Sequence, residues 1–177
     1  DRDVTGVQTC ALPIFHIGSA RVVFDTGVPT SFGVLPDSGG HALATLLGHP
    51  TIRLPKSYAS VTAAQISAHL GAPIDAVLGT DLIAQAYWLL QPDRGRAVVS
   101  LDPLQVDGPT MLAPLTMGVP TMRVRVGGRE GLAFIDTGAG VSYMDGALAA
   151  TYPVVDTVHD FFPLIGEFDT DVRVVEA

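Results

Sequence analysis

Two copies of one tripeptide carry the chemistry that this chain offers. Asp25-Thr26-Gly27 and Asp136-Thr137-Gly138 stand 111 residues apart, and each follows an apolar residue, Phe24 in the first case and Ile135 in the second. From average residue usage, two chance copies in one chain of this size are expected roughly once in a thousand sequences. Two carboxylates brought face to face on such loops share one proton, because like charges at close range cannot both ionise. One then acts as base toward a bridging water, while its protonated partner donates a hydrogen bond to the oxyanion forming on an attacked carbonyl. Gly27 and Gly138 let the backbone turn tightly beside an open carboxylate. Thr26 and Thr137 each supply a hydroxyl that can bond across to the opposite loop. Taken singly, each tripeptide also reads as a plain turn, with Asp accepting backbone N–H bonds and Gly at positive φ.

Such loops need a strand to deliver them and another to carry the chain away. Residues 20–24 form a β-branched run ending at Asp25, and residues 131–135 do the same before Asp136. Thr30-Ser31-Phe32 and Val141-Ser142-Tyr143 suit the return strands. Residues 121–126 alternate polar with apolar, and Gly127-Gly128 turns them into the next strand as a hairpin. In the first half, residues 61–70 lack Gly and Pro and stop at Gly71, which predicts a short helix. A strand at 74–78, a short helix at 79–84, and strands at 87–90 and 97–101 across a turn at 92–95 complete it. Residues 102–120, rich in Pro, Gly and Asp, read as a connection.

With these residues in view, the sequence resembles the aspartic peptidases, in particular the retropepsin-like (retroviral-type) branch. Phe134-Ile135-Asp136-Thr137-Gly138-Ala139 followed by Val141-Ser142 follows that family's loop closely. Val77-Leu78-Gly79 followed by Asp81-Leu82-Ile83 is similar to the segment and helix that close each lobe there. The resemblance covers most of residues 15–177. It implies an all-β, two-lobed acid-protease-like β-barrel fold with a few short helices. Residues 15–104 would be the N-terminal lobe, 105–120 the linker and 121–177 an incomplete C-terminal lobe. Leu164-Ile165-Gly166 follows Asp136 too soon to be the closing segment and sits among flap-like strands. Asp25 and Asp136 are the catalytic pair it implies, with Thr26, Gly27, Thr137, Gly138 and Ala139 supporting the loops. Neither metal nor organic cofactor is needed. The implied substrate is a peptide or protein, and the implied pseudo-dimer lies within one chain. Two departures, the incomplete C-terminal lobe and the sequence after the first loop, leave alternatives open. The first loop continues Val28-Pro29, where the family usually has Ala, Ser or Thr. The fold could therefore serve a non-catalytic peptide-binding protein, or a homodimer that uses only Asp136.

Other readings are weaker. A net charge of -8 disfavours a nucleic-acid partner, and no apolar run is long enough to span a membrane. His16, His41, His49, His69 and His159 contain no i, i+4 metal pair. Ser31 lacks the first Gly of a nucleophile elbow, and Gly138-Ala139-Gly140 lacks the third Gly of a dinucleotide loop. Tyr87 and Trp88 suit core packing. Residues 4–14 match, residue for residue, a reading-frame translation of a common sequencing-library adapter, so residues 1–14 are expected to stay outside the fold. They contain Cys10, the only cysteine, which leaves no disulfide framework or thiol nucleophile. The compartment stays open, with a leaning toward a secreted or cell-envelope location.

Overall fold

The computed structural model describes residues 13–91, 96–108, 111–162 and 164–175. Among them are thirteen strands and four helices, the longest of ten residues, so the chain is mainly β with short helices.

The central sheet follows from the apolar run before the first loop. β2 (Ala20–Phe24) pairs antiparallel with β1 (Ile14–Ile17) and parallel with β6 (Ala76–Leu78), and β6 pairs antiparallel with β3 (Phe32–Gly33). Alternate residues of β2 and β6 feed two separate cores, as the period-two geometry of a strand requires. Ala20, Val22, Ala76 and Leu78 join Leu43 and Leu47 on one face, where α1 (Asp37–Leu46) lies. Val23 and Val77 join Phe32, Val61 and Ile74 on the other, against Ile66 and Leu70 of α2 (Ala63–Leu70). Each fully buried Val or Leu contributes about 1.5–3 kcal/mol. A sheet covered on both faces explains why β2 reads as a continuous apolar run.

The predicted helix at 61–70 begins two residues late. Val61-Thr62 form β5, paired with β4 (Ser57–Tyr58), because Thr62 serves as N-cap in a reciprocal box with Gln65. Gly71, at φ 62°, ends the helix in the left-handed conformation that Gly adopts without strain. α3 (Thr80–Ile83) follows β6. β7 (Tyr87–Gln91) and β8 (Arg96–Ser100) form a hairpin whose predicted turn at 92–95 lies outside the described residues. Trp88 packs edge-on to Phe24 and donates from Nε1 to the Ile83 carbonyl at 2.9 Å. Tyr87 is not core but half exposed, since it points to the opposite side of the strand.

In the second half, β10 (Val119–Val126) pairs with β11 (Arg129–Phe134) through Gly127-Gly128, both at positive φ. It also pairs with β9 (Leu115–Thr116). α4 (Gly146–Ala149) and the hairpin of β12 (Val154–Phe162) with β13 (Gly166–Arg173) complete it. Leu164-Ile165 sit in that hairpin's turn, with Gly166 at φ 96° opening β13. Thr121 is the one fully buried residue of this half among those described.

Several expectations change. The sheets are open among the described residues, so no closed barrel is seen; β1 and β3 remain as edges of the largest sheet. The stretch read as linker contains β9, because Met117 and Gly118, at φ 53° and 84°, make a tight turn that folds it back on β10. Residues 141–143 form no strand, since no counterpart of β6 runs beside them among the described residues. Of the segment expected to lie outside the fold, residues 1–12 are beyond the described range, but its last two residues are engaged. The Pro13 carbonyl accepts from Phe24 N–H at 2.9 Å, and Ile14 pairs with Val23 and packs against the second core. An apolar residue beside an open β2 edge pairs whatever its origin.

Ser31 is fully buried and ties the first loop to α3. Its hydroxyl donates to Asp81 Oδ1 at 2.5 Å and accepts the Gly79 N–H at 2.8 Å, while its own N–H reaches Asp81 at 2.8 Å. Ser31→Ala leaves the buried Gly79 N–H without a partner, so a loss of about 1–3 kcal/mol is expected on chemical denaturation. An unchanged midpoint would remove Ser31 from the account of what fixes this loop.

Candidate active site

β2 delivers Asp25 and β11 delivers Asp136, each at the end of its strand. Asp25 N–H donates to the Leu78 carbonyl of β6 at 3.0 Å, and Ile135 N–H donates to the Pro120 carbonyl of β10 at 2.8 Å. Within each loop the Asp carboxylate accepts the N–H two residues on, from Gly27 at 2.8 Å and from Gly138 at 2.8 Å. The two loops therefore share one conformation.

They also hold each other. Thr26 N–H donates to Thr137 Oγ1 at 3.1 Å, and Thr137 N–H donates to Thr26 Oγ1 at 3.0 Å. The hydroxyls reach further across, Thr26 Oγ1 to the Ile135 carbonyl at 2.7 Å and Thr137 Oγ1 to the Phe24 carbonyl at 2.9 Å. An approximate twofold exchanges the loops. Each glycine faces the opposite carboxylate, and a Cβ built on Gly27 would overlap Asp136, as one on Gly138 would overlap Asp25. Ala139 follows, half-buried.

The Asp25 and Asp136 carboxyls stand close together, each against the glycine of the opposite loop, and two carboxylates so placed hold one proton between them. Burial, and after it the charge of Asp136, raises the Asp25 pKa from 3.8 to about 7, against a partial opposing effect of the Gly27 N–H. The environments differ, since Asp25 is half-buried and Asp136 is exposed. All six loop residues singled out by the repeat thus meet at one point of the molecule.

Several neighbours escaped the sequence reading. Pro29 and Thr80 receive the β9–β10 turn: Pro29 packs against Gly118, and the Thr80 hydroxyl donates to its carbonyl. Pro29 has a positional reason that no motif carries. Tyr143 donates from its hydroxyl to Asp160 of β12, whose carboxylate also lies beside Gly140, two residues past the second loop. The next residue of β12, Phe161, stacks on His69 of α2 with ring centroids 4.0 Å apart. That strand therefore touches both halves of the molecule. Only contacts between distant segments create these features, so no local signal announces them. Of the other histidines, His49 bonds Gln85 and His159 lies between Asp169 and Glu167 on β13.

Compared with protein-family models, curated proteins and solved structures, the chain matches none. Among the described residues, no helix is long and apolar enough to cross a membrane.

Proposed function

We propose that the chain is an aspartic endopeptidase of two-lobed, acid-protease-like architecture, its catalytic pair formed by Asp25 and Asp136 within one chain. The observation that carries this reading is the contact of the two carboxyl groups, on loops whose threonines each complete the other's hydrogen bonding. A turn motif serving only its own segment has no need of a twofold-related partner 111 residues away.

The pair titrates as a unit, and we assign its one proton to Asp25, the less exposed of the two, and the role of base to Asp136. Asp136 withdraws a proton from a water entering between the carboxyls, and the hydroxide adds to the peptide carbonyl. Asp25 donates its hydrogen bond to the developing oxyanion. A proton then passes to the departing amine as the C–N bond breaks. A homodimer resting on Asp136 alone has less support, because the partner of each threonine already sits on the other loop of the same chain.

This cycle needs one proton on the pair, which fixes its pH dependence. As pH rises through about 7 the proton on Asp25 is lost, and with it the donor to the oxyanion. In strong acid both carboxyls are protonated and no base remains. Cleavage of a peptide library is therefore expected to follow a bell, highest on the order of pH 4 to 6, with limbs that belong to the pair. Stability carries the same signature. The folded pKa of Asp25 lies above the unfolded 3.8, so its contribution is complete below that value and disappears as pH rises through about 7. Thermal midpoints should fall across that window, and less so in Asp25→Asn. A rate that keeps climbing above pH 8 would count against a shared proton.

A further inference from the structure

The first half carries a concave site away from the two Asp-Thr-Gly loops. A cavity of about 510 Å³ lies between the start of α1 and the segment 50–56, lined by Val34, Leu35, Ile52 and Leu54, with Arg53 and Lys56 at its margin. None of the residues of the two Asp-Thr-Gly loops lines it. Its volume falls in the usual range for ligand sites.

Three independent features describe what would fit. The first is charge. In a chain of net charge -8, this cavity is bordered by Arg53, the sole lysine, Lys56, and the exposed His41, against a single carboxylate, Asp37. Neither Arg53 nor Lys56 forms an ion pair among the described residues. The second is an edge. Residues 51–54 alternate exposed and half-buried as a strand does, with Ile52 and Leu54 packed on the first core. Yet none of their backbone N–H or C=O groups is hydrogen-bonded among the described residues, although Pro55 just beyond accepts from Gly33 N–H at 2.8 Å. An unpaired edge of this kind templates another extended chain. The third is the apolar wall beside it, where Val34 is two-thirds exposed.

We propose that this groove binds an extended acidic peptide segment, which pairs its main chain with residues 51–54, sets apolar side chains against Val34, Ile52 and Leu54, and places carboxylates near Arg53 and Lys56. A free small carboxylate would leave the edge unpaired, and a basic segment would meet like charge.

The test uses fluorescence anisotropy with a labelled short peptide alternating glutamate and valine, beside a lysine-valine counterpart and a version N-methylated at alternate amides. Measurements on Asp136→Asn alongside the wild type keep any cleavage from consuming the probe, so the result stands apart from the peptidase reading. The acidic peptide should bind at least about tenfold tighter than the lysine peptide and weaken with salt, and N-methylation should cost a similar factor. Arg53→Glu with Lys56→Glu should weaken it by about tenfold or more, with an unchanged circular dichroism spectrum. Should that double variant fail to fold, Lys56→Gln and the peptide series in the wild type still decide. Equal affinity for the two peptides would overturn the proposal. So would indifference to N-methylation, tighter binding of a medium-chain fatty acid, or displacement of the probe by self-association of the chain.

Discussion

Asp25→Asn and Asp136→Asn are each expected to abolish peptide cleavage, by on the order of 10⁴-fold or more, and the double variant should be scarcely worse than either. Asparagine keeps the shape of the side chain and can still accept the N–H of Gly27 or Gly138. It can neither hold nor release the shared proton. The fold should survive, because the buried clusters lie elsewhere, on the two faces of the central sheet. The Asp25 variant should even gain stability at neutral pH, where a buried carboxylate is costly. Cleavage of a peptide library by the three variants and the wild type, with thermal midpoints beside it, tests this. Activity kept by Asp25→Asn and lost by Asp136→Asn would transfer the chemistry to a homodimer. Peptide binding without cleavage by any form would leave a binding protein.

Gly27→Ala and Gly138→Ala should produce a smaller but still large loss by a different route. At each position the added Cβ would overlap the carboxylate of the opposite loop. That carboxylate is the far end of a side chain, so it can swing away at little cost to stability, and neither glycine has a positive φ that an alanine would strain. The close approach of the two carboxyls does not survive the swing. Activity should fall by about 10²-fold or more, as expected when catalytic groups are displaced by an ångström or so, while the thermal midpoint changes little. A structural turn would behave differently, since nothing but stability would respond. Retained cleavage in both alanine variants would show that the close approach is not required.

Strand and helix positions near the loops were legible because their signals are local. β2 announces itself by β-branched residues, and α2 by its freedom from Gly and Pro up to Gly71. The repeat also located the six residues that converge. What stayed hidden depends on neighbours remote in sequence. Residues 141–143 have the composition of a return strand but lack a β6 to pair with, and β9 forms inside a stretch whose Pro and Gly content suggests only a connection. The hairpin turn needed an unexpected residue, Met117, in the left-handed region. The two-sided role of β12, with Asp160 near Gly140 and Phe161 on His69, is likewise invisible to any window along the chain.

The crossed threonine bonds have a consequence for how function is lost. Two N–H groups, two hydroxyls and two carbonyls pair with one another only while the loops are docked. Separating the loops gives up all of these bonds together, which disfavours a half-docked arrangement. If the pair works as proposed, competence would then be a digital property of each molecule, turned by two keys that only work together. A warmed sample showing half its original activity would be a mixture of fully competent and wholly silent molecules, each survivor still working at full speed.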